Sequence, residues 1–160
     1  MPVTANFAGP VQTDQTNRFR MLQSMARSHQ SAGQVIPTGV NTALKFDKND
    51  VNTDGIWSGA ANTRFTAQIA GKYLCNAGVA WPTTGPSVTQ QLTVRVNGAT
   101  YLGQSVIAGS TSVAQVQTVA DVVQLSAGDY VEFVVSQNTG GDVTVGGSTQ
   151  TFGAVLYVGE

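Results

Sequence analysis

Charge is what this sequence has least of. Asp, Glu, Lys and Arg make up 11% of its 160 residues, against roughly a quarter in an ordinary soluble domain. The formal net charge is −1, so a domain-wide basic footprint is missing and a nucleic-acid partner is not expected. Cysteine occurs once, at Cys75, which excludes an intrachain disulfide and a thiolate metal cluster. Histidine also occurs once, at His29. A Ser-His-Asp or Cys-His device needs that imidazole beside a nucleophile, and no elbow motif surrounds any serine. Neither a catalytic residue nor a cofactor is expected. No run of ~18 apolar residues exists to cross a bilayer as a helix, and no membrane partner is expected. Residues 1–30 lack the apolar stretch of a secretory signal. The chain is therefore expected to be made and released in the cytosol, or exported by another route.

The space left by charge is filled with Gly, Thr, Ser, Asn, Gln and Val. β-Branched and small polar residues favour strands and turns over helices. With 41% apolar residues the chain is not of disordered composition, and its length is one domain's worth.

Residues 1–32 read differently from the rest. Met1 to Thr16 is an arm with Pro2, Gly9 and Pro10. Phe19, Leu22, Met25 and Ala26 then recur at three and four, which predicts a short helix, with Thr16 or Asn17 as its cap. Residues 1–30 carry Arg18, Arg20 and Arg27 against Asp14, and are the positive part of an otherwise acidic chain.

From Gln34 onward the signals are those of strands. Short extended segments are predicted at Thr42 to Phe46, Ile56-Trp57, Arg64 to Ile69, Tyr73 to Trp81 and Gln91 to Val96. Others follow at Tyr101 to Ile107, Val113 to Leu125, Tyr130 to Ser136, Val143 to Val145 and Phe152 to Val158. Asn97-Gly98 is the strongest hairpin turn. About ten strands at 8–12-residue spacing, with no helical pattern between them, predict a sandwich or barrel. Two segments break the in/out alternation. Tyr130 to Val135 and Phe152 to Val158 are apolar on both faces, whereas a sandwich strand has one face on the core. A strand apolar on both faces is covered on both, which predicts an arm, a loop or another subunit on the second face.

Four segments in order carry a resemblance. They are Thr42-Ala43-Leu44-Lys45-Phe46-Asp47, Arg64 to Tyr73 with its Phe65…Gly71-Lys72-Tyr73 pattern, Leu125-Ser126-Ala127-Gly128-Asp129-Tyr130-Val131, and Phe152-Gly153-Ala154-Val155-Leu156. Residues 33–158 thereby resemble the trimeric jelly-roll domain shared by tumour necrosis factor ligands and the globular heads of the first complement component. In the last segment the glycine stands one place early for that pattern. The resemblance implies an all-β, ten-stranded jelly-roll sandwich, a homotrimer packed through the inner sheet, and no catalysis.

The expected organisation is an N-terminal arm with a short helix at 1–32 and a jelly-roll domain at 33–160. Tyr130, Glu132, Phe152, Val155 and Tyr157 are the expected trimer interface. Phe7, Arg18, Phe19, Arg20, Leu22 and Met25 are the expected attachment arm, because they have no evident place in a jelly-roll core. Asp47, Asp50 and Asp54 share one loop with Asn49 and Asn52 and could offer oxygen ligands to calcium. The spacing is not that of an EF-hand, and short Asx residues are ordinary turn formers, so no metal is expected. Cys75 lies mid-strand and reads as a small buried residue. A charge-poor, Gly/Thr/Gln/Asn-rich binding domain with no stalk suits a virion surface. The expected role is a phage structural protein, made in the host cytoplasm, that decorates or cements the capsid. Its partners would be itself and the major capsid protein or another virion protein. The alternatives are the receptor-binding tip of a tail or head fibre, and a bacterial surface or spore-coat adhesin.

Overall fold

A computed structural model describes residues 24–160. Within them the chain forms β1 (Met25–His29), β2 (Gln34–Ile36), β3 (Thr42–Ala43), β4 (Lys48–Asn52), β5 (Phe65–Thr66) and β6 (Gly71–Trp81). After these come β7 (Thr89–Val96), β8 (Thr100–Ala108), β9 (Gln115–Leu125), β10 (Tyr130–Gln137), β11 (Val143–Val145) and β12 (Phe152–Gly159). One antiparallel sheet has the order β4-β1-β12-β6-β9. The second has the order β3-β10-β7-β8, with β5 also pairing β10, and β2 and β11 form a small separate ribbon. The all-β jelly-roll expectation holds: two five-stranded sheets face each other across one core.

Strand alternation builds that core. In β6, Tyr73, Cys75, Ala77, Val79 and Trp81 all point inward and are buried. Across from them stand Leu92 and Val94 of β7 and Val131, Phe133 and Val135 of β10. Phe46, Phe65 and Phe133 meet edge to face, with centroids 5.6, 6.4 and 5.7 Å apart, a geometry that adds to their area burial. Gly153 lies against this cluster, where a Cβ would fall 2.8 Å from the Phe133 ring and 2.9 Å from that of Phe46. The closing strand thus needs a glycine there for a packing reason. Gly71 opens β6 at φ +150°, and a side chain there would meet the Gly159 carbonyl at 2.6 Å.

Gln117 is buried and anchors a small hydrogen-bond network. The Trp81 indole N–H donates to Gln117 Oε1 at 2.8 Å, and Gln117 Nε2 donates to the Ser105 carbonyl at 2.7 Å. The β7–β8 hairpin turns at Asn97 (φ 51°) and Gly98 (φ 72°), the two positive φ values of a type I′ turn. Asn97 then ties two turns together. Its Nδ2 donates to Asp129 Oδ1 at 2.9 Å, and its Oδ1 accepts from the Tyr130 amide at 2.9 Å.

The expected helix is corrected where it can be seen. Met25 and Ala26 begin a strand that pairs with β12 on one side and β4 on the other. The jelly roll therefore already includes residues that the expected boundary at 33 assigned to the arm. Phe19 and Leu22 lie outside the described residues. The three-and-four spacing misled because the inward residues of this strand are Ala26, Ser28 and, just beyond it, Gln30. Two of those three are polar, so hydropathy shows no alternation. β4, Lys-Asn-Asp-Val-Asn, is an edge strand of the sheet, and its polar residues read as a turn.

Burial pushes the Cys75 thiol up to about 12 from an ordinary value of 9.0, with the Asp121 charge adding to it. Burial also raises the Tyr73 phenol. Above pH 9 the unfolded chain loses a thiol proton that the folded chain keeps, so stability falls as pH rises, by about 1.4 kcal/mol per unit from one such group. Urea titrations of the wild type should show this loss beginning near pH 9 and continuing to about 12. Cys75→Ala should be flat between pH 9 and 10, with the decline that Tyr73 causes setting in above that.

A candidate self-association face on the first sheet

The first sheet has one face on the core and a second face that keeps Leu74, Val116 and Val122 exposed. The register sets its side chains in rows. Met25 of β1 lies opposite Leu156 of β12, Leu156 opposite Leu74 of β6, and Leu74 opposite Val122 of β9. All four point outward, since Ala26, Val155, Tyr73 and Val123 beside them are buried. The next row runs Val51, Arg27, Ala154, Asn76 and Ala120. Leu74 is 37% exposed, Val51 42%, Val116 49% and Val122 55%. Between β1, β12 and β6 the face sinks into an apolar hollow of about 300 Å3, lined among others by Met25, Val51, Leu74, Ala154 and Leu156. Scattered apolar residues on a surface are ordinary, whereas a contiguous apolar patch marks an interaction site.

A polar margin bounds this face along β1. Arg27 stacks over the Phe152 ring at 4.8 Å and forms an ion pair with Asp50. His29 Nδ1 lies 2.8 Å from Asp50 Oδ1. His29 is thus a sheet residue and not part of a free arm. Its imidazole belongs to the outward row, while Cys75 is buried on the core side of the same sheet.

The three loop aspartates are spent separately. Asp47 accepts from the Ser31 hydroxyl and, at 2.6 Å, from the Ser31 amide, which together hold its carboxyl below the ordinary range. Asp50 serves Arg27 and His29, and Asp54 accepts from the Ser24 hydroxyl. Among the described residues no three acidic, histidine or cysteine side chains gather as metal ligands.

The five expected interface residues divide among three places. Val155 and Tyr157 face the core and are buried within the single chain, with Tyr157 edge-on to Tyr73 at 5.4 Å. Phe152 alone points outward from the first sheet, in the row of His29 and Gly78. Tyr130 and Glu132 belong to the opposite sheet. There Glu132 is buried, accepting from Arg95 at 2.8 and 3.1 Å with Arg64 at 3.5 Å, and Arg64 stacks on Tyr130 at 4.2 Å. One parity step explains the error for Val155 and Tyr157. Both faces of β12 are apolar, and the core takes the odd-numbered residues. The second face of β10 is closed by the chain itself: Val134 is 2% exposed and Glu132 4%. Leu74, Val116 and Val122 were missed, although Val116, Ala120 and Val122 form a second apolar parity beside Val119, Val123 and Leu125. Of the expected arm residues, Met25 belongs to the outward row, and Phe7, Arg18, Phe19, Arg20 and Leu22 lie outside the described residues.

No family profile matches the chain, and no curated protein is similar to it in sequence. Solved structures are similar in fold. The globular domain of zebrafish complement 1qA superposes with a TM-score of 0.61 at 15% identity, covering 86% of this chain and all of that domain. Murine APRIL, solved at pH 8.0, gives a TM-score of 0.64 at 14% identity, covering 85% of this chain and 99% of its own. This chain shares their jelly roll. At such identities the likeness is one of backbone, and what each surface binds is set by its own side chains.

The placement separates two substitutions at adjacent positions. Tyr157→Asp would bury a charge without a partner and should cost at least about 3 kcal/mol, enough to threaten folding of the single chain. Leu156→Asp points out of the sheet and should change fold stability by no more than about 1 kcal/mol. Thermal unfolding by circular dichroism of the two variants, at concentrations where both are monomeric, checks this directly.

Proposed function

We propose that this chain is a non-enzymatic binding protein that assembles as a homotrimer through the outward face of its first sheet. The observation that carries the reading is the apolar row Met25–Leu156–Leu74–Val122, continuous across four strands. Two further observations support it. The fold is that of the complement 1qA head and APRIL, and the resemblance seen in the sequence puts subunit packing on the inner sheet. A half-exposed Leu or Val gains roughly 1 kcal/mol on burial, half of the full transfer value, and the face holds several per subunit.

The site of action we propose is the surface of a phage virion, where the trimer decorates or cements the capsid and residues N-terminal to β1 attach it. The low charge, the Gly/Thr/Gln/Asn-rich composition and the positive N-terminal segment support this reading. The receptor-binding tip of a fibre is the second reading, favoured by a polar cleft on the second sheet, far from the apolar row.

Sedimentation velocity tests the assembly. The wild type should run as a trimer at micromolar concentration, and Leu74→Asp and Val122→Asp should run as folded monomers. A monomeric wild type, or variants that stay trimeric, would overturn it. Attachment is tested by deleting residues 2–22, which stops short of Ser24, whose carbonyl accepts from the Tyr157 amide at 2.9 Å. The shortened chain should remain a trimer and lose binding to purified capsids. Full occupancy of capsids by that variant would move the attachment point into the jelly roll.

A further inference from the structure

The second sheet carries a site of a different kind. On its outward face, at the end where β7 and β10 meet the loops before β3 and after β10, lies an open cleft of about 320 Å3. This is the lower end of the range for small-molecule sites. Asn41, Thr89, Gln91, Ser136 and Asn138 line it, and no ionisable side chain does.

Its rim is built and held. The Thr89 amide donates to Asn138 Oδ1 at 2.6 Å, and the Ser136 hydroxyl donates to Gln91 Oε1 at 3.0 Å. Gln137, turned away from the outward face, fixes the floor with bonds from its Nε2 to the Ile36 and Gly141 carbonyls at 2.9 and 2.8 Å. Those contacts fix one end of each rim amide and leave the other end over. Among the described residues, Gln91 Nε2, Asn138 Nδ2, the Thr89 hydroxyl and Asn41 Oδ1 have no hydrogen-bond partner. The cleft therefore presents both donors and acceptors, oriented by the sheet and unspent.

Tyr101 meets this rim through Asn41. The Tyr101 hydroxyl lies 3.5 Å from Asn41 Nδ2 and 3.3 Å from Arg95 Nη1, and the residue is 47% exposed. Arg95 is committed to Glu132 at 2.8 Å and lies over one side of the Tyr101 ring, 5.8 Å from its centroid. A half-exposed ring beside unspent, uncharged donors and acceptors matches a ligand that has both an apolar face of C–H groups and a fringe of hydroxyls. An anionic ligand would find no free cation here, and an apolar one would leave the amides unpaired.

We infer that this cleft is a binding site for a neutral saccharide, with Tyr101 as the stacking platform and Gln91, Asn138, Thr89 and Asn41 as the hydroxyl-reading groups. The inference stands on the second sheet and does not depend on where the protein acts or on how it assembles.

The test uses the full chain on an array of neutral oligosaccharides: malto-, cello-, manno- and chito-hexaoses, with polygalacturonate as an anionic control. Hits are measured by titration calorimetry. At least one neutral saccharide should bind, polygalacturonate should not, and Gln91→Ala and Tyr101→Ala should each weaken binding at least tenfold. Both positions are on the surface, so circular dichroism spectra and sedimentation should match the wild type. Leu74→Asp, on the other sheet, should bind the same saccharide with unchanged affinity per subunit. Binding to none of the neutral sugars, preference for the anionic control, or affinity indifferent to Gln91→Ala and Tyr101→Ala would overturn the assignment.

Discussion

The pairing of β12 between β1 and β6 is the constraint on which the rest of the structure depends. The last strand of the chain is held along one side by Met25–His29 and along the other by Gly71–Trp81. It closes the first sheet in its middle, not at an edge. Through Gly153 it also seats the phenylalanine cluster that joins the two sheets. Ladder bonds at this strand span most of the chain length, so loop-closure entropy must be met before the sheet rewards it. The closed core and the outward apolar row both follow from that one insertion.

The two sheets treat their outward faces in opposite ways. On the second sheet the chain closes its own surface with charge and aromatic rings: Glu132 is neutralised by Arg95, and Arg64 lies on Tyr130. There burial works to lower the Arg95 value, and hydrogen bonds to Tyr101 and Glu132 outweigh it, so the guanidinium is held above its ordinary range. On the first sheet the outward row is Met25, Leu156, Leu74 and Val122, with Asn76 in the next row and a polar margin at Arg27, His29 and Asp50. The middle of the second sheet is closed within the single chain, whereas the first sheet keeps Leu74, Val116 and Val122 exposed.

How much of this could be read in the sequence depended on whether the inward residues were apolar. β6 and β7 were legible because Tyr73 to Trp81 and Leu92 to Val96 alternate cleanly. The Asn97-Gly98 hairpin was legible because its two positive φ values demand that chemistry. β1 was misread because Ser28 and Gln30 occupy inward positions, and β4 because an edge strand tolerates Lys, Asn and Asp. Double apolarity at Phe152 to Val158 marked a strand with apolar residues on both faces. It could not say which parity faced the core, since Phe152, Val155 and Tyr157 are equally suited to either side. The amide-lined cleft left no trace in the sequence. Asn41, Gln91 and Asn138 are separated by tens of residues, and the β3–β10 and β7–β10 registers bring them to one rim.

The bond from the Tyr157 amide to the Ser24 carbonyl has a geometric consequence. The first described residue and the last strand end on the same edge of the first sheet, and Lys72 fastens Glu160 close by. Ser24 and Glu160 therefore share one doorway of the described fold. A tether before Ser24 and a cargo fused after Glu160 would start from neighbouring points. A short linker joining those two points would leave both sheets intact, and new ends could then be opened at the exposed tip of the Asn97-Gly98 hairpin. The topology of the domain is in effect a ring that happens to be cut at this doorway.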